Sequence, residues 1–378
     1  MHLSQRISRV APSATIAASA RARELAQRGV DIIALTAGEP DFDAPDHVVE
    51  AAVRALRDGQ TRYTNVDGTC ELKAAVAAKF RRDNALDFTP DEINVSPGGK
   101  AVIANAFAAT VSPGDEVIVP TPAWVSYAEM PKLFDGVPVF VAGGADHKLA
   151  PEVLETAITP QTRWLLLNSP GNPTGAVYSE SDLRALGEVL LRHPQVMVLS
   201  DDIYEAILFE GRFATLASAV PELRERCLTM NGVSKAYAMT GFRIGYAGGP
   251  AWLIAAMRKV MGQTTSCASS ISQAAARAAL EGPQDVLAEC LAVYRTRRDR
   301  VVEGLNRLPG VACEAPEGAF YAFFRVEGSG EAWCERALEQ ARVALVPGEA
   351  FHAPGHVRLS FAASMETLEQ ALNRLEAL

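Results

Sequence analysis

Between residues 93 and 248, short runs of β-branched and other apolar residues alternate with longer segments of helical period. This alternation constrains the fold more than any other feature of the chain. The runs are Ile93–Ser96, Glu116–Pro120, Val137–Val141, Arg163–Asn168, Val196–Asp201, Cys227–Asn231 and Ile244–Gly248. Between two of them, Ser179 stands three residues before Asp182 in a capping-box arrangement, with Leu183, Leu186 and Leu190 following on one helical face. Strand–helix–strand repetition lays successive strands side by side and parallel, because the crossover helix returns the chain to the same end of the sheet. The expected fold is α/β: a mostly parallel, doubly wound sheet flanked by helices.

The two ends of the chain read differently. Residues 1–45 hold a helix at Ala14–Ala26 and a short apolar strand at Asp31–Leu35, which runs into turn-rich sequence. From residue 283 a charged helix (Tyr294–Leu308) gives way to Gly/Pro turns, short strands and a last helix at Thr367–Leu375. We expect residues 1–45 and 283–378 to form one smaller α+β domain beside a large domain of residues 46–282. A length of 378 residues agrees with two domains at roughly 150 residues each.

Thirty-six basic against 45 acidic residues leave a net charge of −9, which argues against a binder of nucleic-acid backbones. No apolar run approaches the ~20 residues that a membrane helix needs. Met1–Val10 carries Arg6 and Arg9 without the apolar stretch of a secretory signal. The six cysteines are scattered without a C-x-x-C pair and read as reduced, small apolar residues. The cytoplasm is the expected compartment. No H-E-x-x-H or G-x-S-x-G motif is present, so neither a metal centre nor a serine hydrolase is expected.

In a doubly wound sheet, ligands sit beyond the carboxyl ends of the strands, so the residues just past each strand bear most on function. Pro97-Gly98-Gly99-Lys100 comes after the first and opens a helix, a start that exposes backbone N–H groups suited to phosphate. Trp124 lies past the second, and the turn Ser169–Gly175, with Asn172, past the fourth. Asp201, Asp202 and Tyr204 lie past the fifth, and Lys235 and Arg243 past the sixth. Taken singly, each has a bland reading: a tight turn, a core tryptophan, a strand-end charge, a solvated lysine. Together they supply an amine, a carboxylate, an aromatic face, phenol and amide donors, and a phosphate cradle. That is the set pyridoxal phosphate needs.

The chain also resembles the class I aminotransferases of the fold-type-I pyridoxal phosphate superfamily, in the bacterial aspartate aminotransferase subgroup. The resemblance runs over nearly the whole chain: PSAT at 12–15, LTAGEPDFDAP at 35–45, PGGK at 97–100, NSPGNPTGAVY at 168–178, SDDIYE at 200–205, SKAYAMTGFRIGY at 234–246, EGAFY at 317–321 and GHVRLSFA at 355–362. It implies a cofactor, pyridoxal 5′-phosphate, and a ping-pong transfer of an amino group between an amino acid and a 2-oxo acid. It also implies a homodimer with its sites at the subunit interface.

By that resemblance Lys235 forms the Schiff base with the cofactor and moves the proton at the substrate Cα. An ordinary lysine titrates near 10.4, so making half of it neutral at pH 7 takes about 4.6 kcal/mol. Schiff-base formation and cations such as Arg243 are expected to supply this. Asp201 pairs with the ring nitrogen, Tyr204 and Asn172 bond the ring's phenolic oxygen, and Trp124 covers the ring. Gly99, Lys100 and Arg243 define the phosphate end, and Tyr63 reaches the phosphate of the partner subunit. Arg358 clamps the substrate α-carboxylate, beside Gly38 of the covering loop and with Trp124 and Asn172 close by. A guanidinium fork suits a carboxylate in a way lysine does not.

The Thr15/Lys100 pair resembles the subgroup's device for the distal carboxylate of aspartate, glutamate and, in some members, prephenate. The stretch Gly262–Gln273 lacks the arginine that better-known relatives use there. Two segments depart from the subgroup: TNVDGTCEL after Tyr63, and Asp202 where glutamate is commoner. Three alternatives stay open. One is a transaminase of aromatic or neutral amino acids, another a lyase on the same fold. The third, a non-catalytic sensor fused to a DNA-binding domain, is disfavoured because the motifs begin near residue 1.

Overall fold

The computed structural model describes residues 3–378. Met1 and His2, which open the segment weighed as a signal, lie outside them. A two-residue strand β1 (Ile33–Ala34) precedes the seven anticipated strands: β2 (Ile93–Ser96), β3 (Glu116–Thr121), β4 (Val137–Ala142), β5 (Thr162–Asn168), β6 (Met197–Asp201), β7 (Cys227–Gly232) and β8 (Gly245–Gly248). Strands β2 to β8 make one sheet in the order β2-β8-β7-β6-β5-β3-β4. From β7 through β6, β5 and β3 to β4 the pairing is parallel, while β8 runs against both of its neighbours. That reversal brings the start of β8, and Arg243 just before it, to the rim where the parallel strands end.

A sheet covered on both faces needs apolar residues at consecutive positions, and β5 shows why. Leu165 and Leu167 enter one core with Phe80 and Leu186, whereas Trp164 and Leu166 enter the opposite core with Phe107 and Met257. The helix Glu180–Arg192 starts at the anticipated box, with Asp182 N–H donating to Ser179 Oγ (3.1 Å) and Ser179 N–H to Asp182 Oδ2 (2.9 Å). Such a cap contributes about 1 kcal/mol. It turns Leu183, Leu186 and Leu190 inward, where all three are buried.

The later strands are β9 (Val311–Ala312), β10 (Tyr321–Val326), β11 (Val343–Ala344), β12 (Val346–Pro347) and β13 (His356–Ser360). Four of them form an antiparallel sheet ordered β12-β13-β10-β9, and β1 pairs with β11 in parallel. A core of its own lies here, in which Ile33 and Leu35 meet Phe320, Leu359 and Leu372. The strand expected at Asp31–Leu35 is shorter than its apolar run: only Ile33 and Ala34 pair in register with β11, and Leu35 donates to the Ala344 carbonyl but turns its own carbonyl to Ser360. The helix expected at Tyr294–Leu308 spans Asp285–Leu305. It stops early because the Asn306 side chain exchanges bonds of 2.8 and 2.9 Å with the Cys313 backbone, drawing the chain out of the helix. The cysteines are free, but only Cys227, Cys313 and Cys334 are buried, and Cys70 is exposed. Among the described residues no helix is long and apolar enough to cross a membrane.

Candidate active site

Along the rim formed by the strand ends lies a cavity of about 270 Å³. Lys235, Asp201, Tyr204, Gly99, Lys100, Trp124, Asn172, Arg243, Gly38, Arg358 and Thr15 all line it. Tyr63 does not. It is 88% exposed, in a separate groove between the helices Asp46–Arg57 and Ser270–Glu281.

Lys235 follows β7 on a single helical turn, Val233–Ala236. Its Nζ donates to the Gly38 carbonyl at 2.6 Å, so the turn that follows β7 meets the loop leading from β1. The surrounding protein strips water from the ammonium and lowers its pKa to about 8. Glu39 opposes this and Arg243 and Arg358 reinforce it, but burial is the largest cause. Burial was not among the causes expected from the sequence, which were Schiff-base formation and cations such as Arg243. The cations act at longer range through a partly solvated cavity and contribute less.

Asp201 ends β6 and is 3% exposed. Its Oδ2 accepts from the Tyr127 hydroxyl at 2.5 Å and its Oδ1 from the Ile203 N–H at 3.2 Å. Burial raises its pKa to about 6 against the pull of these bonds and of Lys235. The neighbouring Asp202 lies outside the cavity lining. There Ser200 donates to its Oδ1 at 2.8 Å, its Oδ2 is buried without a partner among the described residues, and burial pushes its carboxyl far up.

Arg358 sits on β13 with 1% of its surface exposed. Its Nη2 donates to the Thr36 carbonyl (2.7 Å) and its Nη1 to Asn172 Oδ1 (2.8 Å). Its guanidinium carbon lies 4.5 Å from the centre of the Tyr321 ring and 4.9 Å from that of Phe351. Among the described residues its buried Nε has no partner and no carboxylate pairs with the guanidinium. A buried cation without a counter-ion is costly, and an incoming anion removes that cost.

At the other end Gly99 opens the helix Gly99–Thr110, after Gly98 with φ of +91°. A Cβ on Gly98 would lie 2.3 Å from an Arg243 nitrogen, and one on Gly245 would lie 2.4 Å from the Gly99 nitrogen. Glycine at these positions lets Arg243 and the helix start close on the same space. Lys100 holds its Nζ 5.0 Å over the Trp124 ring, with its pKa lowered by burial and by Arg243. Trp124 meets Tyr127 edge-on at 5.3 Å. Thr15 Oγ1 lies 3.0 Å from Ser13 Oγ.

Sequence reasoning did not single out Tyr127, Tyr321 or Asn168. Tyr127 stands three residues after Trp124, and Tyr321 closes EGAFY, but nothing local shows where their hydroxyls point. Asn168 ends β5, where its Nδ2 donates to the Asp201 carbonyl (2.8 Å) and its Oδ1 accepts from the Asn172 N–H (2.9 Å).

The lining carries Lys100, Lys235, Arg243 and Arg358 against Asp201, a concentration of positive charge in a chain whose net charge is −9. An amine of depressed basicity facing a carboxylate-hungry guanidinium is the working pair of an enzyme that handles amino acids. The family model for aminotransferase class I and II matches residues 30–375, and the chain belongs to that family. It is 51% identical to an aspartate aminotransferase of Rhizobium meliloti, over 98% of this chain and 95% of the relative. To an aspartate/prephenate aminotransferase of Nitrosomonas europaea it is 47% identical, over the full length of both. Among solved structures it superposes on the aspartate aminotransferase of Rhizobium meliloti with a TM-score of 0.97, at 50% identity over 100% of this chain and 98% of that one. The Thermus thermophilus aspartate aminotransferase with maleate gives 0.95, at 46% identity over 100% and 99%. The chain is a transaminase.

Proposed function

We propose that the cavity takes pyridoxal 5′-phosphate and that the enzyme moves the amino group of aspartate or glutamate to a 2-oxo acid in two alternating half-reactions. The observation that carries this is one cavity joining the depressed Lys235 amine to Arg358, a buried cation with no counter-ion among the described residues. The donor set fits the cofactor. Gly99 and Arg243 line one end of the cavity as a cradle for a phosphate, Gly98 has no Cβ to collide with the Arg243 guanidinium there, and Asp201 supplies a buried carboxyl for a ring nitrogen.

When bound, pyridoxal phosphate supplies an aldehyde that condenses with amines and a protonated ring that accepts the electron pair left at the substrate Cα. The residues do the rest. Lys235 provides the amine and moves the proton at Cα, and Asp201, oriented by Tyr127, holds the ring proton. Tyr204 and Asn172 donate to the phenolic oxygen, and Trp124 covers the ring and excludes water. Arg358 fixes the α-carboxylate, with Gly38 alongside. A charge-assisted fork of this kind contributes more than a neutral hydrogen bond, which is why it orients the substrate.

Lys100 and Thr15, at the cavity wall, suit a distal carboxylate. The Thermus thermophilus relative solved with maleate, a dicarboxylate, supports that choice. We further propose a homodimer in which exposed Tyr63 reaches the partner's phosphate, and a division into residues 1–45 with 283–378 and residues 46–282. The separate antiparallel sheet and core support that division.

The test is a half-reaction of the cofactor-loaded protein with aspartate, followed by absorbance, then a panel of 2-oxoglutarate, oxaloacetate, pyruvate and prephenate as acceptors. Amino transfer from aspartate and glutamate well ahead of alanine and phenylalanine is expected. Faster exchange with neutral donors would overturn the dicarboxylate reading, and sedimentation at a single 40.4 kDa chain would overturn the dimer.

A further inference from the structure

We infer that Tyr321 is a positioning residue: its hydroxyl donates to Tyr204, and so strengthens the hydrogen bond that Tyr204 gives the cofactor's phenolic oxygen. This rests on the proposal that the cavity takes pyridoxal phosphate. The two hydroxyl oxygens are 2.7 Å apart, and both side chains are buried. One proton lies between them, and geometry alone permits either direction. Neither hydroxyl has another partner among the described residues, so the direction is set by where the second proton goes.

Both tyrosines line the cavity, so burial does not choose between them. Tyr204 has a single hydroxyl proton, and on the proposed reading it goes to the cofactor's phenolic oxygen. The proton between the two hydroxyls is therefore that of Tyr321. A hydroxyl that accepts one bond becomes a stronger donor in the next.

The position of Tyr321 is fixed independently of this bond. It starts β10 opposite Ser360 of β13, and its ring lies under the Arg358 guanidinium. The charged groups facing the pair are Arg358 from β13 and Asp201 from β6, and neither bonds to the two hydroxyls. Lys235, across the cavity, is held by Gly38. Tyr321 therefore touches the carboxylate clamp with its ring and the cofactor's hydrogen-bond donor with its hydroxyl. Replacing it by phenylalanine removes only the second contact.

The experiment is an absorbance titration against pH of the cofactor-loaded wild type, Tyr321→Phe, Tyr204→Phe and the double variant. A donor to the phenolic oxygen competes for the proton which that oxygen shares with the adjoining nitrogen, so a weaker donor raises the midpoint. Tyr321→Phe should raise it by about half a pH unit to one unit, the equivalent of one ordinary hydrogen bond. KM for aspartate should change less than about twofold, because the ring under Arg358 remains. Tyr204→Phe should raise the midpoint further, and the double variant should match Tyr204→Phe alone. An unmoved midpoint in Tyr321→Phe, or additive shifts in the double variant, would overturn the inference while leaving the cofactor reading intact. A wild type that gains no chromophore with pyridoxal phosphate would overturn both.

Discussion

Arg358 donates from Nη1 to Oδ1 of Asn172 at 2.8 Å, across 186 residues of sequence, and so ties β13 to the turn after β5. The guanidinium is held by that bond, by Thr36 and by two flanking rings, and it is already oriented before any carboxylate arrives. Preorganisation of this kind spares the entropy of ordering a long side chain on binding.

Arg358→Lys should therefore lower kcat/KM about a hundredfold or more for every amino donor, since lysine keeps the charge but loses the fork, the stacking and the bond to Asn172. Lys100→Ala should act selectively. An uncompensated distal carboxylate costs about 2–5 kcal/mol, so aspartate and glutamate should lose roughly thirtyfold or more relative to alanine. The ratios of kcat/KM across donors give the answer. Equal losses for acidic and neutral donors in Lys100→Ala would assign that lysine to the phosphate end or to the fold.

Lys235→Ala should abolish turnover in a protein that still folds, and borohydride reduction of the loaded wild type should label Lys235 and no other lysine on peptide mapping. Its pKa near 8 also sets a pH dependence for the cofactor-free protein. The neutral amine is the reactive form, so the rate of pyridoxal phosphate capture should climb about tenfold per pH unit below pH 8 and level off above it. A flat profile between pH 6 and 8 in stopped-flow absorbance would contradict the assignment.

Adjacent carboxyls should respond to the same change by very different amounts. Asp201→Asn should slow Cα deprotonation by about 10²–10³-fold in single turnover, because the ring proton it holds matters most when negative charge spreads into the ring. Asp202→Asn should cost less than about threefold. Burial drives its carboxyl far up and so favours the uncharged form, and an amide oxygen accepts from Ser200 equally well. A large effect at Asp202 would show that it carries charge.

Tyr127→Phe removes the hydroxyl that donates to Asp201. That bond favours the ionised carboxylate, so its loss should raise the Asp201 pKa above its value of about 6. Protonation then sets in at higher pH, and affinity for a positively charged ring should begin to fall earlier as pH drops. An infrared titration of the carboxyl in cofactor-free protein reads the shift directly. No movement would mean that the Tyr127 bond is made only by geometry and not by charge.

The order of strands along the chain was legible because burial on two faces leaves a local mark. Cys227–Asn231 and Ile93–Ser96 carry no charged residue, and every residue of the strands they form is buried. Caps and close approaches were legible for the same local reason: Ser179 with Asp182, and Gly98-Gly99 before a helix. Less legible were the ends of elements whose limits depend on distant partners. The Asp31–Leu35 run looks like a five-residue strand, but its length is decided by β11, more than three hundred residues away in sequence.

By itself, the sequence determined the mostly parallel α/β sheet, the rim on which a site would lie and the side chains just past its strands, because periodicity, capping and turn chemistry act between near neighbours. Gly38, Thr15 and Arg358 were legible only through the family resemblance. Only the tertiary structure decided how those side chains act on one another. Lys235 and Gly38 are 197 residues apart, and Tyr204 and Tyr321 are 117 apart. Tyr127 and Tyr321 enter the site through hydroxyls whose direction no local pattern encodes. The amine of Lys235 and the carboxyls of Asp201 and Asp202 take their protonation from burial, which is a property of the packed chain. Short-range steric preferences write the elements into the sequence, whereas desolvation and hydrogen-bond direction exist only once distant segments have closed around a common space.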